Sequence, residues 1–440
     1  MSEIFVILSI LFVTGIGYIW ITGLNLLSKK SVFDLLPYSY GLGIGLIAFQ
    51  LYIYSRIEVP WELGYILIPW IGFFIGLIIF KRKTLIWKPI FMPAIQFGSF
   101  DKILLFLIVT LLLFVGFEAL LRPLSAWDGW TIWLFRAKAF YLDGFVSTDI
   151  LRQIQLEYPL VISLASTFLY IVLGGVNDRV VLLMFFVFYL SLSMAFFTST
   201  KSFLGTRKAL FFTFLLISLQ NLVRHGGRYE AGQADLALGF YFFTSCMLLF
   251  EYIKNKSFKT AILFNIFLGF TGLIKNEGIP FSFILELILL YHMIKFKRLK
   301  DALASLIWLF LLLDWQMFKY ANNLPWATPF ISSVIKLSRL PVVLLEISKE
   351  FLNIKNWNLL WITFFTVFFK YIFELRKNWL TIIYVVIFFQ LGVYVFIFLI
   401  TNTDPVAHIR SVVNRLFIHI SPLAMFASAI VIFGKKISKT

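Results

Sequence analysis

The chain has 440 residues, of which 60% are apolar and 14% charged, with a single cysteine and a formal net charge of +17. Apolar runs of about 17 to 25 residues recur along it, the length an α-helix needs to cross ~30 Å of hydrocarbon, which excludes a soluble globular domain. A membrane barrel would show short alternating segments instead, so the expected class is an all-α polytopic membrane protein.

Cys246 falls inside an apolar run, so no internal disulfide can form and a thiolate metal site is not expected. The first run, residues 4–27, lacks a basic leader and a small-residue cleavage site, and is read as a retained span. Basic clusters recur at Lys29–Lys30, Lys81–Lys83 with Lys88 and Lys102, Lys201 with Arg207 and Lys208, Lys254 to Lys259, Lys295 to Lys300, Arg376–Lys377 and Lys435 to Lys439. The positive-inside rule places these loops in the cytoplasm. With Lys370 they hold 23 of the 39 basic residues against six acids (Asp34, Asp101, Glu251, Glu286, Asp301, Glu374), a net of +17. The other face keeps 16 basic and 16 acidic residues and is neutral. The whole basic excess is therefore a topology signal directed at membrane lipid, and nucleic acid is not an expected partner.

Spans laid between the clusters cover residues 4–27, 32–54, 61–80, 103–121, 180–200, 209–223, 236–250, 260–274, 279–294, 302–319, 357–373, 380–400 and 416–433. That makes about 13 transmembrane helices, with the N-terminus outside and the C-terminus inside. The apolar segment 159–173 cannot cross without inverting every later basic cluster, so it is expected to stay on the outer face. The chain reads as one transmembrane domain: residues 1–100 as a three-helix addition, 101–300 as a core, and 301–440 as C-terminal helices with external loops.

Polar chemistry gathers in the external loops. Just beyond the run 103–121 stands Trp127-Asp128-Gly129-Trp130, followed by Trp130, Trp133, Leu134, Ala137 and Tyr141 at spacings of three and four. That stripe predicts a short interfacial helix, with tryptophans at headgroup level and Arg136 and Lys138 turned toward phosphates. An acid at the membrane boundary is costly unless paired or used, which singles out Asp128. Residues 224–235 pack Arg224, His225, Arg228, Glu230 and Asp235 among three glycines. Arginines there suit a phosphate, which the planar guanidinium can grip with two bonds, and Glu230 and Asp235 suit a hard divalent cation or sugar hydroxyls, unless these charges simply pair with one another. Lys275-Asn276-Glu277-Gly278 reads either as a self-paired turn or as a substrate contact. The last external loop brings Asp404, His408, Arg410, Arg415 and His419. Glu118 is a possible partner for a cation of the site.

These features resemble the GT-C superfamily of integral-membrane glycosyltransferases, in particular its aminoarabinose transferase and protein O-mannosyltransferase branch. The resemblance rests on Asp128 after a span in the first large external loop, on Glu157-Tyr158-Pro159-Leu160 leading to Gly175-Val176-Asn177-Asp178-Arg179, and on Asp235 at the start of a later span. It covers roughly residues 103–279. The family's lysine and double proline are replaced here by Tyr158-Pro159-Leu160, and three extra spans precede the aspartate.

The resemblance implies transfer of a sugar from a polyprenyl-phosphate donor to a glycan, lipid or protein acceptor on the external face of the plasma (inner) membrane, usually with inversion. Asp128 would be the catalytic base. Lys138, Arg224, His225, Arg228, Glu230, Asp235, Lys275, Arg410 and Arg415 would bind substrate, and Asp235 with Glu230 would hold a divalent cation (Mg or Mn) if one is used. The rival readings are a lipid-linked sugar transporter or flippase, which would place its ionisable groups near the midplane, and an O-antigen polymerase or ligase.

Overall fold

The computed structural model describes residues 2–27, 30–81, 97–153, 158–325, 332, 334–375 and 379–434. Most of the basic clusters at 81–88, 376–377 and 435–439, together with Lys29 and Glu157, lie outside them. The described chain is helical, and nine of its helices are long and apolar enough to cross a membrane. Three further apolar helices are shorter, 63–79, 161–173 and 258–274. This is a multi-pass membrane protein.

The helices run α1 (Ser2–Gly23), α2 (Val32–Arg56), α3 (Leu63–Lys81) and α4 (Ser99–Leu121), then the short α5 (Leu134–Asp143), α6 (Thr148–Gln153), α7 (Val161–Leu173) and α8 (Asp178–Val181). After these come α9 (Leu183–Leu204), α10 (Thr206–Ile217), α11 (Gln220–Gly227), α12 (Asp235–Asn255), α13 (Phe258–Ile274) and α14 (Gly278–Lys295). The chain continues through α15 (Ser305–Ala321), α16 (Leu340–Phe351), α17 (Ile354–Trp357), α18 (Leu360–Leu375), α19 (Thr381–Ile400) and α20 (Pro405–Phe433).

Lipid tails are as apolar as leucine, so helix association in a bilayer depends on close packing and on buried hydrogen bonds. Both devices hold α1 and α2 in place. A Cβ on Gly17 would come within 1.9 Å of the Ser39 carbonyl oxygen, and one on Gly43 within 1.9 Å of that of Val13, so only glycine allows the two backbones to touch. Tyr40 donates to the Met184 carbonyl (2.7 Å), and Tyr241 donates to that of Gly41 (2.6 Å). The first two helices thereby pack backbone to backbone, and α2 is bonded to the Met184 carbonyl and to Tyr241 of α12.

Short helices occupy the end of the bundle that holds Asp128. There α7 is buried along most of its length, and at 13 residues it spans only ~20 Å. Arg136 donates to the Tyr158 carbonyl just before it (3.0 Å), and Lys138 pairs with Asp178 just after it (2.5 Å). Both ends of α7 are thus tied to neighbouring turns of α5. The region read as a span at 209–223 is broken: α10 ends at Ile217, and an extended Leu219 caps α11.

The interfacial stripe is realised in a different register. Residues Gly129–Trp133 form a π-turn, in which the Leu134 N–H donates to the Gly129 carbonyl. The extra residue in that turn rotates α5 about its axis, so Trp133, Leu134, Ala137 and Phe140 form the buried face and Trp130 stays exposed. Arg136, expected to face lipid phosphates, is completely buried, one turn from Trp133 and from Phe140 of α5.

Candidate functional site

Asp128 is placed by two glycines. A Cβ on Gly129 would lie 3.2 Å from the Gly232 carbonyl group, and Gly232 itself has a φ of +103°, a left-handed conformation open to glycine. This backbone contact brings the π-turn against the 224–235 segment. A single-turn π-bulge beside a cluster of ionisable groups is a frequent mark of a functional site.

Asp128 opens onto a cavity of 530 Å³. Its polar lining is Asp128, Tyr158, Lys275, Asn276, Glu277, Thr401, Thr403, His408 and Arg415, and its apolar wall includes Pro280, Val393, Ile397 and Leu416. Arg415, from α20, donates from Nη1 both to Asp128 and to Gln233 Oε1, the latter at 2.6 Å. Gln233 in turn donates to Glu230.

Behind the cavity runs a buried polar chain. Lys275 Nζ lies 2.8 Å from Asp235 Oδ1 and 3.2 Å from Glu277 Oε1. Asp235 Oδ1 also takes a bond from His419 Nε2 at 3.0 Å, and His419 Nδ1 is 2.9 Å from the Tyr394 hydroxyl. A carboxylate can only accept, so Nε2 carries the hydrogen and the Tyr394 hydroxyl donates to Nδ1. Gln390 fixes the turn by donating to the Glu277 carbonyl (3.1 Å). Burial disfavours the Lys275 ammonium, but Asp235 and Glu277 outweigh it and hold its pKa above the ordinary lysine value. Lys275 therefore presents a fixed positive charge to the cavity.

The other sequence candidates fall into three groups. Asp235 is 1% exposed at its side chain and reaches the cavity only through Lys275. Glu230 reaches it through Gln233 and Arg415; burial raises its pKa against the opposing pull of Arg415 and Arg224. His225 is buried, its Nδ1–H donating to the Asn221 carbonyl (2.9 Å), and burial pushes its pKa down to about 4. Lys138 is engaged with Asp178, and Arg410 with Glu346 at 2.8 Å, so neither joins this cavity. Arg224 and Arg228 sit in a separate cluster around Tyr229 and Glu118.

Glu230 and Asp235 do not fit a shared divalent ion. Their carboxylates already engage Gln233 in one case and Lys275 with His419 in the other. Among the described residues no three His, Cys, Asp or Glu side chains converge as a metal site would need.

Glu277, Tyr158, Thr401, Thr403 and His408 are site residues that the loop-by-loop reading passed over or left undecided. The missed signal was periodic: His408, Val412, Arg415, Leu416 and His419 fall at spacings of four, three, one and three, which is one face of a helix. The segment read as a loop at 401–415 is mostly the first three turns of α20.

No family model, curated protein or solved structure matches this chain.

Proposed function

We propose that the protein is a glycosyltransferase that moves a sugar from a polyprenyl-phosphate donor to an acceptor hydroxyl on the external face of the plasma membrane. The observation that supports this reading is the convergence of Asp128, Lys275, Glu277 and Arg415 on one cavity that also has an apolar wall. Such a lining suits a ligand that carries both phosphate and hydrocarbon. All four charged groups belong to the end of the bundle that the charge distribution assigns to the exterior.

In the resting site Arg415 engages Asp128. The donor phosphate competes for that guanidinium, whose planar fork suits phosphate oxygens, and so frees the Asp128 carboxylate. Asp128 takes the proton of the acceptor hydroxyl as its oxygen bonds to the anomeric carbon. The bond from that carbon to the phosphate oxygen breaks, and the electron pair leaves with the polyprenyl phosphate. Lys275 and Arg415 stabilise the charge that develops there, and their effect is strengthened by the low dielectric of a site set among apolar helices. Tyr394, His419 and Asp235 hold Lys275 in position.

The deciding experiment reconstitutes the full chain in vesicles with a labelled polyprenyl-phosphate sugar and a mixture of acceptor glycans. Covalent transfer of label, lost in Asp128→Asn, is the expected result. Label that crosses the bilayer while still on its carrier would identify a transporter and overturn the reading.

A further inference from the structure

A second basic site lies at the same end of α4, apart from the cavity. Glu118 Oε2 accepts from Arg122 (Nε 3.0 Å, Nη2 2.6 Å) and from Arg228 Nε (3.2 Å). Arg224 and Arg228 both stack on Tyr229, at 5.3 and 5.5 Å from its ring centre. Two guanidiniums thus engage one carboxylate while a third, that of Arg224, shares the Tyr229 ring with Arg228, and the buried Nε of Arg224 has no hydrogen-bond partner among the described residues. The arrangement is fixed by α11, where Gly227 packs so closely on α4 that a Cβ would lie 2.3 Å from the Val115 carbonyl oxygen.

The surroundings define what this excess charge meets. Arg228 also stacks on Phe114 (5.5 Å), and Phe114, Phe117 and Leu121 are exposed on the surface of a membrane-spanning helix. Phe117 borders an apolar groove of 530 Å³ between α1, α4 and α9, whose walls include Leu11, Leu113, Gly116, Leu120 and Phe186. That groove runs along the half of α4 nearest the arginines. Cations at the C-terminal end of α4 and an apolar groove that reaches Phe117 and Leu120 at the same end supply the two kinds of contact that a single lipid needs.

We propose that Arg122, Arg224 and Arg228 bind the phosphate of an anionic lipid of the bilayer, with its hydrocarbon chain passing Phe117 into the groove. Arginine supplies the planar contact to phosphate oxygens, and the net charge around Glu118 selects an anionic headgroup over a zwitterionic one.

The test uses the full chain extracted from vesicles that contain equal amounts of phosphatidylglycerol and phosphatidylcholine, with the retained lipids counted by native mass spectrometry. The expected result is preferential retention of phosphatidylglycerol, falling about tenfold in Arg122→Gln/Arg228→Gln. Glu118→Gln keeps every cation and removes the opposing charge, so its retention should rise; it serves as the arbiter if the double variant fails to fold. Equal retention of the two lipids by the wild-type chain, or no change in Glu118→Gln, overturns the proposal. Soluble glycerol phosphate binding as tightly as the lipid would reassign the cluster to a free phosphate and overturn it as well.

Discussion

Asp128 and Arg415 are 287 residues apart in the chain and in direct contact in the fold. The arginine holds the carboxylate and Gln233 at once, so orienting the aspartate and binding its counter-charge are one interaction. Asp128→Asn should lower transfer by at least about 10²-fold with an unchanged melting temperature. Arg415→Lys keeps the charge but loses the planar fork that grips two phosphate oxygens, and should raise the donor KM as well as lower kcat. Steady-state kinetics in nanodiscs separate the two, and near-normal turnover in Asp128→Asn would remove it from the mechanism.

The buried pair Asp235 and Lys275 makes a different demand. Asp235→Ala strands a buried ammonium with Glu277 as its remaining carboxylate partner, a change that costs about 3–5 kcal/mol when a buried pair is broken on one side. Adding Lys275→Met should recover much of that loss without restoring turnover, because the cavity then lacks its fixed cation. Thermal melts of the two singles and the double in detergent measure the coupling. Simple additivity would show that the pair is not a unit.

His225 sets an acid limit. Its folded-state pKa is held down to about 4 by burial, whereas the unfolded chain takes up the proton near pH 6.5. Stability from this group is therefore complete above about pH 6.5 and is lost progressively as pH falls toward 4, with a span on the order of 3 kcal/mol. Melting temperature against pH should fall through that window in the wild type and less steeply in His225→Gln. Parallel curves would show that other groups govern the acid transition.

Gly232→Ala is expected to damage the site by backbone geometry alone. The new Cβ meets Leu124 Cδ1 at 2.7 Å in a residue whose φ is +103°, a strain of about 1–3 kcal/mol. Both melting temperature and turnover should drop. Gly175→Ala, where a Cβ would meet nothing within 4 Å, provides the control, and equal effects in the two would remove the argument.

Hydropathy and charge made the membrane class legible, because burial in lipid leaves long apolar runs and a one-sided basic excess in any such chain. Asp128, Lys275 and Arg415 were also visible as costly charges near span ends. Their assembly was not, since residues 128, 235, 275 and 415 come from four separate elements. Arg136 shows a second limit: the sequence reports a helical period, but the packing of the segment around Tyr158 over Arg136, whose hydrogen bond it accepts, is a long-range contact that leaves no trace in it. The turn at Lys275 and Glu277 read equally as self-paired or as a substrate contact; the pair is made, and Lys275 is shared with Asp235, a contact that the packing of α12 beside α13 creates.

The position of Arg415 and His419 on α20 carries a consequence for biogenesis. Chains emerge from the ribosome N-terminus first, so Asp128 and Asp235 are synthesised long before the side chains that complete their bonding. Until α20 docks, the nascent protein holds two acids at the membrane boundary without these partners. The insertion of α20 is thus the event that completes the bonding of both acids, and a chain stalled before it differs electrostatically from one that has passed it.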